Sequence, residues 1–164
     1  MSTQTAFDKF FTTAGSSSLT DDWATPKSFF EALTTEFNLV LDVAAAEKNH
    51  KCADWYGLDH PDESRRDGLA QDWAAEAQRL GGAVFMNPPY GKTIGLWTAK
   101  AREAADAGAT VVCLVPARTD TRWFHNSCLG SELRFVRGRL KFNDGPKGAP
   151  FPSLLVVMRP NDKR

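Results

Sequence analysis

From residue 25 onward the chain alternates between two spacings of apolar positions, and each predicts a different element. Phe30, Leu33 and Phe37 recur on one helical face, with Thr25 placed as N-cap and Pro26 at the first helical position, so a helix runs from 25 to about 37. Residues 38–43, Asn-Leu-Val-Leu-Asp-Val, form a short β-rich run that ends in an acid and passes into Ala44-Ala45-Ala46. Two further apolar runs, Ala83 to Met86 and Thr110 to Val115, are stopped by Asn87-Pro88-Pro89 and by Pro116. Between them Trp97, Ala101, Ala104 and Ala105 make a helical stripe that Gly108 ends. Residues 71–80 read as a short helix or turn, 120–129 as a helix, and 133–136 and 151–158 as strands. Residues 47–70 are polar, rich in Asp and Gly and without period, which predicts a long loop of the kind that often carries function.

Strand and helix alternating in this way predict an α/β domain with a mixed, mostly parallel sheet and helices on both faces. Residues 1–20 are polar, interrupted only by Phe7, Phe10, Phe11 and Leu19, and are expected to be a mobile or loosely docked segment before a single domain over 21–164. At 164 residues and 42% hydrophobic content, one domain buries about 70% of its unfolded surface. In such a sheet ligands bind beyond the carboxyl ends of the strands. Asp42, the Asn87 turn and Pro116-Ala117-Arg118 all fall at such ends, and together they describe one cleft.

Charge and cysteine usage narrow the function classes. Lys+Arg and Asp+Glu both number 20, so a nucleic-acid partner would have to be met by a local cluster, not by a global field. Cys52, Cys113 and Cys128 form no CxxC pair, which argues against a disulfide framework or structural zinc and for a reducing cytoplasm. His125 and Cys128 have helical spacing for a metal pair but no third or fourth ligand nearby, so no metal is expected. No apolar run approaches the roughly 20 residues of a membrane span, which predicts a soluble protein without a membrane partner.

Asn87-Pro88-Pro89-Tyr90 carries the chemistry. An amine conjugated to an aromatic ring is a poor nucleophile because its lone pair is delocalised. Two aligned acceptors that take its hydrogens free that pair, and Asn87 Oδ1 with the Pro88 carbonyl are suited to do so. Pro88 and Pro89 hold the carbonyls rigidly, so the acceptors are organised before the transition state, and Tyr90 offers a π-face to a base. In the second half Arg118, Arg122, Arg134, Arg137, Arg139 and Lys141 are interleaved with Trp123, Phe135 and Phe142, a local footprint for phosphates and bases. For Arg134 and Arg137, alternating charge on an exposed strand is the preferred explanation of the pattern. No nucleophile triad is visible.

Seven ordered blocks carry a family resemblance: residues 22–26 (DWATP), 41–45 (LDVAA), 67–73 (DGLAQDW), 87–91 (NPPYG), 116–123 (PARTDTRW), 138–142 (GRLKF) and 149–153 (APFPS). Over residues 22 to about 158 the chain resembles the phage-type DNA N6-adenine methyltransferases, a group within the S-adenosylmethionine-dependent class I methyltransferases that includes restriction-modification enzymes. The resemblance implies a Rossmann-like three-layer fold, S-adenosylmethionine as cofactor and double-stranded DNA with an adenine target as substrate.

Carried over residue by residue, Trp23, Thr25 and Pro26 correspond to the segment at the methionine part of the cofactor. Asp42 corresponds to the acid near its ammonium, with Ala44 in the adjoining turn, and Asp72 and Trp73 to the pair beside its adenine. Asn87 borders cofactor and base alike. The turn 42–46 departs from the wider class by lacking a glycine-rich loop, and the acid for the ribose is unassigned among Asp54, Asp59 and Asp67. Tyr90 and Phe142 are the expected walls of the base pocket, and Arg118, Arg122, Arg139 and Lys141 the expected phosphate contacts. The expected reaction is direct methyl transfer to N6 of an adenine flipped out of the duplex. Methylation of RNA or of a protein glutamine amide is the enzymatic alternative, and a non-catalytic nucleic-acid binder the other. A homodimer is one way for so small a domain to cover enough DNA.

Overall fold

The computed structural model describes residues 23–163, so the expected mobile segment over residues 1–20 lies outside the described residues. Six strands form one sheet in the order β2-β1-β3-β4-β6-β5. They are β1 (Leu39–Asp42), β2 (Asp54–Trp55), β3 (Ala83–Met86), β4 (Val111–Pro116), β5 (Glu132–Phe135) and β6 (Ser153–Met158). The first four are parallel, and β6 runs antiparallel to both its neighbours, β4 and β5. The carboxyl ends of five strands and the amino end of β6 therefore share one edge of the sheet. This mostly parallel sheet with helices is the class I methyltransferase-like architecture.

Burial explains the sequence pattern. All six residues of β4 and all six of β6 are buried, so the central strands read as continuous apolar runs, not as alternation. The helices are α1 (Lys27–Thr34), α2 (Trp73–Leu80) and α3 (Ile94–Asp106). α2 links β2 to β3 and α3 links β3 to β4, both stepping the same way across the sheet, and right-handed crossovers place both on one face. α1 sets Phe30 edge-on against Phe85 of β3, with ring centroids 5.1 Å apart. Buried Arg102 of α3 donates to Asp106, Asp162 and the Arg159 carbonyl, which fastens the last residues of the domain to its core.

Three local expectations change. The long loop over 47–70 contains β2 and two short 3-10 turns, Glu63–Arg65 and Gly68–Ala70; a strand of two residues has no period to read. The helix expected over 120–129 becomes a π-helical turn at Phe124–Cys128. Thr25 does not cap α1. Pro26 occupies the cap position without a side-chain bond, and the Lys27 N–H is satisfied instead by the Asp144 carboxylate, 3.1 Å away and 117 residues along the chain.

Candidate functional site

The turn after β3 is fixed by its side chains. Asn87 Nδ2 donates to the Trp23 carbonyl at 2.8 Å and to Thr25 Oγ1 at 3.1 Å. A carbonyl only accepts, so the nitrogen end of the amide must face Trp23 and Oδ1 must point the other way. Oδ1 accepts the Tyr90 hydroxyl at 2.6 Å, and that hydroxyl also lies 3.1 Å from the Leu114 carbonyl of β4. Burial pushes the Tyr90 phenol well above its ordinary range, so it stays protonated and remains a donor.

Around this turn Trp23, Tyr90, Phe142 and Phe151 form one aromatic nest. The Trp23 ring meets Phe142 at 5.3 Å and Phe151 at 5.0 Å, and Tyr90 meets Phe151 at 5.5 Å, all edge to face. Tyr90 and Phe142 were expected as parallel walls of a base slot. They lie edge to face at 6.3 Å and are 1% and 5% exposed, a packing geometry that aromatic pairs favour.

The turn after β1 is built from small residues and clamped on both sides. Ala45 N–H donates to the Tyr56 carbonyl, and Val43 N–H to the Phe85 carbonyl. At Gly68 a Cβ would strike the Val43 carbonyl, so only glycine lets residues 67–70 lie against this turn. Asp42 is buried, its Oδ2 accepting from Lys51 N–H at 2.9 Å and its Oδ1 from Ala44 N–H at 3.4 Å. Burial raises its pKa to about 6, against the pull of the two backbone donors. The carboxylate expected beside an ammonium thus shapes its own loop in this conformation.

The other cofactor-side positions divide. Asp72 is exposed and caps α2 by accepting from Ala75 N–H at 3.0 Å. Trp73 is 1% exposed, donates Nε1 to the Gly68 carbonyl at 2.7 Å and stacks on Trp97, so its ring is core and forms no open wall. Of the three ribose candidates, Asp54 pairs with Arg65, Asp59 accepts from Glu47 N–H, and Asp67 caps the 3-10 turn at 68–70.

The basic residues fall into two separate cavities, each of about 440 Å³. Arg118 and Arg122 line one with Lys92 and Trp123. Arg139 and Lys141 line the other with Pro26, Phe29 and Asp144. Arg118 Nη1 reaches the Tyr90 carbonyl at 3.5 Å, and its partial burial lowers its pKa. Arg134 stands apart, paired with Glu36 and Glu132 and lying over the Phe37 ring, as an ion-paired strand residue would. Phe135 is 76% exposed at the cleft end of β5. A larger cavity of about 660 Å³ lies at the opposite edge of the sheet, around Asn38, Gly82 and Thr110, away from Asn87. Among the described residues no cluster of His, Cys, Asp and Glu is arranged to hold a metal.

Sequence reasoning missed Asn143 and Asp144. Asn143 N–H donates to the Ala24 carbonyl at 2.8 Å and Asn143 Oδ1 accepts from Ala24 N–H at 3.0 Å, which pins the strip carrying Trp23 and Thr25. Asn143-Asp144-Gly145 is a run of residues that tolerate left-handed backbone, the one local signal available.

A comparison with curated proteins gives no match. The profile of the family described as DNA N-6-adenine-methyltransferase (Dam) matches residues 12–163, nearly the whole chain and all of the site above. The chain therefore belongs to the DNA N6-adenine methyltransferase (Dam) family.

Proposed function

We propose that this chain transfers a methyl group from S-adenosylmethionine to N6 of an adenine turned out of double-stranded DNA. The observation that carries the reading is the orientation of Asn87: two acceptors on its nitrogen side leave Oδ1 as the acceptor offered at the carboxyl edge of β3. Asn87 Oδ1 and the Pro88 carbonyl take the two amine hydrogens and turn the nitrogen lone pair outward. The Tyr90 hydroxyl marks the place of a donor on Oδ1, so the amine takes that place when the base enters and the Tyr90 ring turns to stack on it. The released proton passes to solvent. An adenine inside a duplex cannot reach this recessed turn, which is why the base must flip.

The residues present fit a sulfonium donor. A positive sulfonium needs oxygen acceptors and apolar walls, not cations, and all three hydrogen bonds of Asn87 go to neutral groups. When bound, S-adenosylmethionine supplies an electrophilic methyl group. Trp23, Thr25 and Pro26 with the Asp42 and Ala44 turn would hold its methionine part, and Asp72 would border its adenine, while Trp73 supports the wall from within. Arg118 and Arg122 on one side, and Arg139 and Lys141 on the other, would neutralise phosphates. All three cysteines are free and buried, which fits a reducing compartment. No helix among the described residues is long and apolar enough to cross a membrane.

The test is transfer of an isotope-labelled methyl group from S-adenosylmethionine to duplex DNA, RNA or protein offered in parallel. Label in DNA adenine supports the reading, and label in RNA or protein alone, or in none, overturns it.

A further inference from the structure

Asn143 and Asp144 both hold left-handed backbone, at φ 61° and 53°, and among the described residues no other non-glycine residue has positive φ. Side chains disfavour this conformation, and two in succession persist only where the surroundings over-determine them. The surroundings here are residues 24–27. Asn143 exchanges a reciprocal pair of bonds with the Ala24 backbone, and Asp144 accepts the Lys27 N–H with Oδ1 at 3.1 Å and Oδ2 at 3.4 Å. Pro26 contributes no donor of its own, and no side chain of α1 caps the helix. The path of this strip is therefore set from the far end of the sequence.

The same strip orients Asn87, through the Trp23 carbonyl at 2.8 Å and Thr25 Oγ1 at 3.1 Å. Both acceptors flank Ala24, so a shift of Ala24 moves both at once. Asn143 and Asp144 also lie within five residues of Arg139 and Lys141, which share a cavity with Pro26 and Asp144. One short path of bonded residues thus joins the basic segment to the amide.

We propose that Asn143 and Asp144 are positioning residues for methyl transfer: by fixing Ala24 and Lys27 they hold the Asn87 amide with Oδ1 facing the target amine. The proposal rests on Asn87 being the amine acceptor. Asn143→Gly keeps left-handed backbone and the N–H to Ala24 but removes the Oδ1 acceptor, Asn143→Asp restores an acceptor, and Asp144→Gly removes the second bond. With saturating DNA and S-adenosylmethionine, Asn143→Gly and Asp144→Gly should each lower kcat about 10-fold or more with KM for DNA little changed, and Asn143→Asp should return kcat to within about threefold of wild type. In ¹⁵N spectra the Asn87 side-chain NH₂ pair, identified by its loss in Asn87→Ala, should move in Asn143→Gly and stay in place in Asn143→Asp. Folded glycine variants with wild-type kcat and unmoved Asn87 signals overturn the proposal, as does an equal loss in Asn143→Asp. Should Asn143→Gly fail to fold, Asp144→Gly and Asn143→Asp decide by the same readings. An active Asn87→Ala would instead overturn the acceptor role itself.

Discussion

The Tyr90 hydroxyl donates to Asn87 Oδ1 at 2.6 Å, so the acceptor proposed for the target amine is engaged by a side chain of the same motif. On the proposed reading the substrate competes with a bond internal to the protein. Tyr90→Phe removes the competitor and keeps the ring. The account predicts that kcat stays within about threefold of wild type and KM for DNA falls, while stability drops by about 1–2 kcal/mol because buried Asn87 Oδ1 loses the Tyr90 donor. Steady-state kinetics and urea unfolding check both parts. A fall in kcat of about 100-fold would mean that the hydroxyl takes part in the reaction.

Asp42 gives a pH signature. Burial raises its folded pKa to about 6, above the ordinary carboxyl value, so folding favours the protonated form. Its stabilising effect is complete below about pH 4 and is lost as pH rises through about 6, a change on the order of 3 kcal/mol. Asp42→Asn does not titrate. Between pH 4 and 7 the variant should therefore gain on wild type by roughly that amount, superimposed on a constant cost for one lost backbone bond. Urea unfolding at several pH values reads this, and parallel curves for the two proteins would contradict it.

The basic residues should separate by salt dependence. Arg139→Ala and Lys141→Ala should each lower the slope of log K against log salt for DNA binding by about one unit. Arg134→Ala should leave the slope unchanged, since its guanidinium is held by Glu36 and Glu132. Equal slopes in all three would make the cluster a solvated surface only.

What was legible in the chain is what local patterns encode. The apolar runs of β3, β4 and β6 mark strands because those strands are buried along their length, and Asn87-Pro88-Pro89 marks where β3 stops. Relationships across the fold were not legible. Thr25 reads as an N-cap by its neighbours, yet its hydroxyl serves Asn87 and the cap comes from Asp144. Trp73 reads almost equally as a wall or as core filler, and its indole, bonded to the Gly68 carbonyl, lies in the core. Phe142 and Tyr90 read as a sandwich, yet the two rings lie edge to face. The Thr25 and Phe142 relationships depend on partners tens of residues away, and periodicity carries no information about those.

The central claim is that Asn87 Oδ1 accepts the amine of an adenine in DNA. Purified wild-type protein and Asn87→Ala, each incubated with unmethylated duplex DNA and S-adenosylmethionine, are compared by nucleoside mass spectrometry, with cofactor binding followed by calorimetry. The account predicts N6-methyladenine with the wild type, a yield lower by about 100-fold or more with Asn87→Ala, and nearly equal cofactor affinity for the two. Equal yields of N6-methyladenine, or none from the wild type, would contradict it.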